Sequence, residues 1–284
     1  MIIWLASYPK SGNTWLRSLL VSYYFTKTGE FNFDLLKKIY AFPARKFFKD
    51  YKDSLVNVDD TAKYWIEAQK KINSDYKIRL LKTHNALGSI NNNQFTDEQN
   101  TCGSIYIIRD PRNVITSIKN YYEIDYEEAF KFMTNEKNIL SEKIEDKYVN
   151  FNFLSSWNIH YKTWIENQLF PTLLVKYEDL EDNALLTLEK IINFINLKSN
   201  SNFIKFDKEK ANNSIKNCDF KILKKNEEEN GFPESNLGQK TGKRIKFFNQ
   251  GEANNWREIL PKDVLKKINN IFSEDLKKLN YEIF

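Results

Sequence analysis

The sequence predicts an α/β fold built on a mainly parallel sheet, and three observations support this. Short apolar runs typical of buried strands alternate with stretches of helical spacing along most of the 284 residues. The first apolar run leads through a polar turn at residues 8–15 into a helix. Hydrophobic residues make up 41% of the chain and aromatic residues 15%, enough for one large core. The length alone allows one large α/β domain or two smaller ones, and the sequence contains no internal repeat.

Each predicted element has its own signal. The run at 104–108 is the clearest strand because it leads directly into Arg109, Asp110 and Pro111, where a helix should begin. Buried strands are predicted at residues 2–6, 78–81, 104–108 and within 172–180. Helical spacing appears at 16–24, 33–48, 60–73, from 111 onward, and at 152–167, 183–195 and 261–279. Residues 222–246 are polar and contain three glycines, so we expect a mobile lid loop there.

Polar side chains follow the predicted strands at the point where each strand ends. The carboxyl ends of parallel strands meet at one edge of a sheet, and ligands of α/β folds bind there. The residues concerned are Lys10, Ser11, Gly12, Asn13 and Thr14 after the first strand, Lys82 and His84 after the second, Arg109 after the third, and Tyr177 and Glu178 after the fourth. We therefore expect one binding site along this edge.

The first turn, YPKSGNTW at residues 8–15, has the composition of a phosphate cradle. The first N–H groups of a helix have no partner within it and lie at its positive end, and Gly12 lets an anion approach them. A nucleotide-hydrolysing P-loop reads GxxxxGK[ST], with its lysine after the second glycine. Here Lys10 precedes the only glycine, so ATP with magnesium is not the expected ligand. A turn without any ligand is the alternative.

Arg109 and Ser117 form a second candidate anion site. If a helix begins at Pro111, Ser117 lies almost two turns along it, on a face that could share an anion with Arg109. An arginine fork and a hydroxyl suit a phosphate monoester, and each charge-assisted bond contributes about 1.5–3 kcal/mol. The alternative is a surface arginine beside a mid-helix serine, and the spacing alone favours neither.

His84 is the candidate base. Lys82 lies two residues earlier on an extended chain, so both side chains point the same way and the cation should keep the imidazole neutral. A single histidine is more often structural, and only its place at a strand end favours a role for His84 in chemistry. The other histidine, His160, lies between Trp157 and Trp164 on the apolar face of a helix, where we expect a structural role.

Composition and charge argue against several classes of function. The formal charge is only +5, without the concentrated basic stripe typical of nucleic-acid binding. The two cysteines form no disulfide or metal pattern, and the acidic residues near the strand ends are scattered singly, so we expect no metal site. No apolar run reaches the roughly 18 residues of a membrane helix, and no secretory signal is recognised. The expected location is the cytoplasm.

Five motifs occur in order along the first two thirds of the chain. They are YPKSGNTW at 8–15, KTH at 82–84, RDPRNVITS at 109–117, SWxxHxxxW at 156–164 and YEDL at 177–180. Together they resemble the sulfotransferase family that uses 3′-phosphoadenylyl sulfate (PAPS), and KSGNTWLR is similar to its bacterial members. The resemblance implies a single P-loop-like domain over residues 1–284, with a central, mainly parallel five-stranded sheet flanked by helices.

The resemblance also implies how the nucleotide binds. The first turn would hold the 5′-phosphosulfate end of PAPS through Lys10, Ser11, Gly12, Asn13 and Thr14. Trp15 would stack on the adenine, and Tyr177 would lie near its amino group. Arg109 and Ser117 would bind the 3′-phosphate.

The implied reaction is in-line, metal-free transfer of a sulfuryl group to a hydroxyl or amine, which leaves adenosine 3′,5′-bisphosphate (PAP). Lys10 and Lys82 would neutralise the moving sulfuryl group and the leaving phosphate, and His84 would remove the acceptor proton. A positioned base typically contributes about 10²–10⁴ in rate. The acceptor is expected to be a small molecule or a glycan, and the sequence does not identify it.

The last third of the chain departs from the family pattern. The family has a segment like RKGxxGDW, whose basic pair and glycine grip the 3′-phosphate, and the nearest match is NQGEANNW at 249–256. Gln250 and Gly251 are kept as candidate nucleotide contacts, although Asn249 and Gln250 stand where basic residues are expected. No KxxxTVxxxE-like dimer segment is found, so the oligomeric state is left open.

Two alternatives to the sulfotransferase hypothesis are left open by the sequence. A kinase-like phosphotransferase on a related phosphate-binding fold would call for a Walker lysine and an acidic magnesium ligand, and the sequence shows neither. A PAP-binding protein that has lost activity would fit the altered segment at 249–256. Such a protein would have no need for Lys10, Lys82 and His84 together, which favours the enzyme.

Overall fold

A computed structural model describes residues 1–144, 147–200, 205–235, 237–238, 241–251 and 254–283. Its strands are β1 (Ile2–Ala6), β2 (Arg79–Thr83), β3 (Ser89–Ile90), β4 (Asn93–Gln94), β5 (Thr101–Ile108), β6 (Ile139–Ile144), β7 (Lys147–Phe153) and β8 (Thr172–Lys176). The central sheet has the order β2-β1-β5-β8, and every neighbouring pair in it is parallel. Two small antiparallel pairs, β3–β4 and β6–β7, stand apart from it. The predicted α/β fold is confirmed.

The central sheet has four strands in the described part of the chain, one fewer than the resemblance implied. Each of the four coincides with one of the apolar runs that predict strands, and β1 lies in the interior of the sheet between β2 and β5. The fifth strand was carried over from the family and had no apolar run of its own. The residue pattern was therefore the better guide to the strand count.

Helices cover both faces of the sheet. They are α1 (Asn13–Phe25), α2 (Trp65–Ile72), α3 (Pro111–Tyr122), α4 (Tyr126–Thr134), α5 (Trp157–Ile165), α6 (Tyr177–Asp182), α7 (Ala184–Lys198), α8 (Lys208–Asn217), α9 (Phe220–Asn230), α10 (Trp256–Ile259), α11 (Lys262–Ile271) and α12 (Ser273–Lys278). None of the helices in the described ranges is long and apolar enough to span a membrane. A cytoplasmic location stays a prediction.

The side chains of β1 point alternately to the two faces of the sheet, so they belong to two separate core clusters. Ile3 and Leu5 pack on one side, in the same cluster as Leu19 of α1 and Ile191 of α7. Trp4 points to the other side and belongs to the cluster that contains α3 and α5. Since both faces are covered, β1 is apolar at every position, as a strand buried on both faces requires.

Three segments differ from their predicted form. The helix predicted at 152–167 begins only at Trp157, and residues 152 and 153 belong to β7. The stretch predicted as helix at 33–48 contains only short 3₁₀ helices, at Phe33–Lys38 and Arg45–Phe47. Residues 222–230 belong to α9, so the loop predicted over 222–246 begins only at residue 231. The charged sequence of α9 is rich in good helix formers, and Asp219 caps it by accepting a hydrogen bond from the N–H of Lys221. Polarity there marks an exposed helix and not a loop.

Candidate active site

The first turn is fixed to the end of β1. Gly12 precedes α1 with φ 96° and ψ 9°, a left-handed conformation that favours glycine. A Cβ at this position would lie 2.4 Å from Cδ2 of Tyr177, so no larger residue fits. Asn13 donates through Nδ2 to the carbonyl oxygen of Leu5 at 3.0 Å and to Oγ of Ser7 at 3.2 Å. The side chain of Asn13 thus holds the turn, and the unpaired N–H groups at the start of α1 face the sheet edge.

Ser11 carries a sign that the turn is shaped for a ligand. The residue is buried, and its Oγ has no hydrogen-bond partner within the described residues. Buried hydroxyls are nearly always satisfied, so an unpaired one calls for a partner. An anionic oxygen at the turn would supply that partner, and the residues present fit a phosphate or phosphosulfate group.

A carboxylate from the last third of the chain occupies the cradle. Oε2 of Glu234 accepts from Oγ1 of Thr14 at 3.3 Å and lies 3.3 Å from Nζ of Lys82. Oε1 lies 2.5 Å from Nη1 of Arg17, a guanidinium that is buried. Tyr121 holds the backbone by donating its hydroxyl to the Glu234 carbonyl at 3.0 Å. An anion therefore sits against Thr14 and Lys82, two of the groups that the sequence predicts to bind one.

The electrostatics of Glu234 show how strongly this pocket favours negative charge. Burial alone would raise the pKa of the Glu234 carboxyl, but the charges of Lys82 and Arg17 outweigh it and hold the pKa well below its usual value. Burial lowers the pKa of Lys82, and the charge of Glu234 opposes that effect. The pocket would thus prefer an ionised partner even without solvent contact.

Lys10 lies beside the cradle, between two aromatic rings. Its Nζ is 3.9 Å from the ring centroids of both Tyr121 and Phe247, a cation–π arrangement on two sides. Burial, followed by the like charges of Lys82 and Arg109, lowers the pKa of Lys10 to about 7. This ammonium is therefore close to losing its proton at neutral pH until an anion arrives.

His84 is fixed in one tautomer. Its Nδ1 is 2.8 Å from the carbonyl oxygen of Ser7 and 3.2 Å from the Ser7 hydroxyl. A carbonyl oxygen can only accept, so Nδ1 carries the hydrogen and Nε2 keeps its lone pair. Burial and then the charge of Lys82 lower the pKa of His84 to about 3, which keeps the ring neutral. Lys82 acts in the expected direction, but burial has the larger effect.

The second histidine supports the first. His160 is fully buried, and its Nε2 lies 3.0 Å from the carbonyl oxygen of His84. Its Nδ1 lies 2.7 Å from the hydroxyl of Tyr106 in β5. Burial lowers the pKa of His160 to about 4, so it too is neutral. The residue fixes the backbone of His84 through α5 and has the structural place expected from its helix face.

Tyr177 joins the groups predicted to bind the nucleoside. The guanidinium carbon of Arg109 lies 3.9 Å from its ring centroid, and the Trp15 ring meets it edge-on with centroids 5.4 Å apart. The same ring contacts Gly12 and would block a side chain there. Arg109 is buried, and its Nε has no hydrogen-bond partner in the described ranges. A donor of this kind is available to an anion.

The segment at 249–256 packs against α3 beside Ser117. Asn254 donates through Nδ2 to Oγ of Ser117 and to the carbonyl of Asn113, both at 3.0 Å. Gln250 accepts from Nδ2 of Asn120 at 3.0 Å. The segment thus lies beside Ser117, the residue that the resemblance assigns to the 3′-phosphate, although amides replace the charges of the family pattern. Oγ of Ser117 accepts from Asn254, so its O–H is still able to donate to a phosphate.

Position 251 requires glycine for a reason similar to that at position 12. Its φ is 56°, and a Cβ would lie 2.3 Å from Cε1 of Phe220. Residues 252 and 253 of the motif lie outside the described residues. Gly12 and Gly251 are the two glycines that this chain shares with the family pattern, and both stand at positions that only glycine fits.

The structure brings together more groups than the sequence predicted. Sequence reasoning missed Glu234, Arg17, Ser7, the ring pair Tyr121 and Phe247, and Asn254. Only Arg17 had a usable signal, since it lies one turn after Asn13 on a helix that starts at the cradle. Among the described residues, no group of three or more His, Cys, Asp or Glu is arranged to hold a metal ion.

The fold and this edge define an anion-binding α/β domain, and comparison with known proteins supplies the family. The model of the sulfotransferase domain matches residues 2–280, so the chain belongs to the sulfotransferase domain family. Sulfotransferase 1E1 of Bos taurus is 22% identical over 280 residues, covering 96% of this chain and 82% of that protein. A flavonol sulfotransferase-like protein of Flaveria bidentis is 25% identical over 291 residues, covering 96% and 81%. The prediction of a sulfotransferase enzyme is confirmed.

Solved structures show the same fold. A retinol dehydratase in complex with androsterone and the inactive cofactor PAP has a TM-score of 0.57 and 16% identity, over 97% of this chain and 80% of that one. Mouse sulfotransferase SULT7A1 complexed with PAP has a TM-score of 0.50 and 15% identity, over 96% and 83%. The P-loop-like class of fold is thereby confirmed.

Proposed function

We propose that this protein transfers a sulfuryl group from PAPS to a hydroxyl or amine of an acceptor. The observation that carries the proposal is the Glu234 carboxylate in the cradle, held by Thr14 and Lys82 beside a histidine with a free lone pair. This carboxylate stands in for the anionic end of the donor. The PAP named in two solved structures of the same fold supports the choice of nucleotide.

The nucleotide would bind along the carboxyl edge of the sheet. Ser11 and Thr14 would bond the 5′-phosphosulfate, together with the N–H groups of Gly12, Asn13 and Trp15. The adenine would lie against Trp15 and Tyr177. Arg109 and Ser117 would bind the 3′-phosphate, with Gln250 and the N–H of Gly251 beside them. These assignments follow the family motifs, and the unpaired Nε of Arg109 and Oγ of Ser11 support them.

His84 would act as the base. Its Nε2 takes the proton of the acceptor O–H or N–H while the acceptor atom bonds to sulfur. PAPS supplies an activated sulfuryl group, whose bond to the bridging oxygen breaks as PAP departs. Lys10 and Lys82 stabilise the negative charge that develops on that oxygen, and such fixed charges typically contribute most of the catalysis. In this proposal positive side chains do the work that a metal ion does in phosphoryl transfer.

A thermal-shift experiment tests the nucleotide assignment. PAP without magnesium should raise the melting temperature, because a ligand at 100 times its Kd stabilises by about 2.7 kcal/mol. Labelled PAPS should then donate sulfate to an acceptor. Stabilisation by ATP with magnesium but not by PAP would instead favour the kinase-like alternative. PAP binding without any sulfate transfer would favour the inactive binding protein.

A pair of glycine variants sharpens this test. Gly12→Ala should abolish the PAP-dependent shift, because the methyl group would collide with Tyr177 at a left-handed backbone position. Gly88→Ala is the matched control, since no described heavy atom lies within 4 Å of a Cβ at that position. The control should bind PAP as the parent protein does.

A further inference from the structure

The β6–β7 hairpin has two unlike faces. Successive residues of a strand point to opposite sides, and in β7 Val149 and Phe151 point into the core. The Phe151 ring lies parallel to Trp65, with centroids 6.0 Å apart. Asn150 and Asn152 alternate with these residues and therefore occupy the opposite face, where they are only half-buried.

The register of the hairpin extends this second face onto β6. Asn152 pairs with Leu140, and Asn150 pairs with Glu142. Directly opposed residues of an antiparallel pair project from the same side. Leu140, Glu142, Asn150 and Asn152 thus form one surface, which we call the amide face. Nδ2 of Asn152 lies 3.3 Å from Oδ1 of Asn150 across it.

The amide face forms one wall of a cavity at His84. The cavity has a volume of about 240 Å³. Lys82, Thr83 and His84 line its inner side, and Ala41, Phe42 and Pro43 line another. Ser141 completes the hairpin side. A molecule in this space would touch the candidate base, so the cavity is the place for the acceptor.

We propose that this cavity takes a single polyhydroxylated ring, a sugar unit, with one hydroxyl directed to His84. The proposal rests on the proposed sulfotransferase function. The volume is below the roughly 300–1,000 Å³ of sites for drug-sized ligands, and it suits one ring. The remainder of a larger glycan would extend into solvent from this subsite.

The chemistry of the lining favours hydroxyl groups. The amides of Asn150 and Asn152 can each donate to and accept from sugar hydroxyls, and the carboxylate of Glu142 can accept from one. Leu140 and Phe42 offer apolar surface to the C–H face of the ring. A phenol or sterol would cover the amides without pairing them, and sites built to bond a hydroxyl reject analogues that lack one.

A panel of acceptors with saturating PAPS tests the substrate class. The panel contains neutral hexoses, N-acetylhexosamines and short glycans made from them, with p-nitrophenol and a sterol as apolar acceptors. Sulfated product is measured by mass spectrometry. We expect transfer to at least one sugar, with kcat/KM at least tenfold above that for the apolar acceptors. Absence of transfer to every sugar overturns the proposal, whether or not a phenol is sulfated.

Variants then test the cavity itself. Asn152→Leu keeps the size of the side chain and should raise KM for the sugar at least tenfold, with a much smaller change in kcat. Asn193→Leu changes an exposed asparagine of α7 and should leave both constants unchanged. An unchanged KM in Asn152→Leu would place the acceptor elsewhere. The PAP-dependent thermal shift is measured in the parent protein and in each variant. If the parent protein shows no such shift, the proposed function is contradicted instead.

Discussion

His84 is held on both sides, so its ring needs no rearrangement to present Nε2. The Ser7 carbonyl fixes its tautomer, and His160 fixes its backbone carbonyl. The two histidines are neutral for the same reason, burial, yet only His84 lines the cavity. Position in the fold therefore separates two side chains of the same type and the same protonation state.

Replacement of His84 by alanine should separate catalysis from nucleotide binding. We expect kcat to fall by about 10²–10⁴, the usual contribution of a positioned base, while the PAP-dependent thermal shift remains. Single-turnover transfer from labelled PAPS gives the rate, and calorimetry gives the PAP affinity. Loss of PAP binding in this variant would show that His84 is structural.

Lys10 should make nucleotide affinity depend on pH. Its pKa of about 7 in the free protein lies below the ordinary value, so above pH 7 the side chain must regain a proton when an anion binds. PAP affinity should therefore fall as the pH rises from 7 to 9, by up to about tenfold per unit. His84, with a pKa of about 3, stays neutral throughout and adds nothing to this slope.

The Lys10→Arg variant provides the control for this pH dependence. A guanidinium stays charged over the whole range, so calorimetric titrations should show a flatter dependence on pH and no proton uptake. If the parent protein binds PAP equally well at pH 7 and pH 9, the lysine is charged before the nucleotide arrives and the interpretation is wrong.

Among the elements, the loop after α9 has the largest influence on the site. It carries Glu234 into the cradle, where the carboxylate bonds Thr14 and pairs with Lys82 and Arg17. A phosphosulfate held by Thr14 and Lys82, as the proposed function assigns it, would compete with this carboxylate for both groups. Movement of Glu234 and of this loop as a lid stays a prediction.

Glu234→Gln should bind PAP more tightly than the parent protein. The amide has no charge to compete with the nucleotide, and we expect Kd to fall about tenfold, or about 1.4 kcal/mol in binding free energy. Calorimetry at fixed ionic strength measures the change. Glu229→Gln is the control, because Glu229 is exposed and forms a surface ion pair, in which its Oε1 lies 3.7 Å from Nζ of Lys225. Weaker PAP binding in Glu234→Gln would mean that the carboxylate assists the nucleotide.

Sequence patterns predicted elements well where burial sets the pattern. The four parallel strands and the start of α3 at Pro111 follow from apolar runs and helix-start residues. The β6–β7 hairpin was missed even though β7 alternates apolar residues with asparagines, a pattern typical of a half-buried strand, because residues 152 and 153 were assigned to the helix predicted at 152–167. Glu234 was beyond prediction because its place depends on a fold contact between residues 14 and 234, with no local motif to mark it.

At the scale of the whole molecule, one buried arginine joins the region after β5 to the C-terminal region. Arg112 bonds both carboxylate oxygens of Asp110 and stacks on the Trp256 ring at 3.9 Å. It also donates to the backbone carbonyl of Glu282 at 2.8 Å. These contacts hold Trp256 and the backbone at Glu282 against α3.

Arg112→Leu should destabilise the protein strongly. The change leaves Asp110 buried without its partner, and loss of one member of a buried pair typically costs about 3–5 kcal/mol. Urea unfolding followed by far-UV circular dichroism gives the free energy of unfolding. Arg257→Leu removes an exposed pair with Glu282 and should have a much smaller effect. Equal losses in the two variants would contradict the role given to Arg112.

The position of β1 inside the sheet has a consequence for how the protein acquires activity. The strand is made before its two neighbours, which are supplied by residues 79–83 and 101–108, and the sheet is extended only by residues 172–176. Contacts between residues so distant in sequence form slowly, because a long loop must close before they can contribute. A nascent chain that ends before Tyr177 holds the cradle sequence without the ring against which Gly12 packs. Sulfuryl transfer would thus be a late property in folding, and its appearance after refolding would report completion of the sheet.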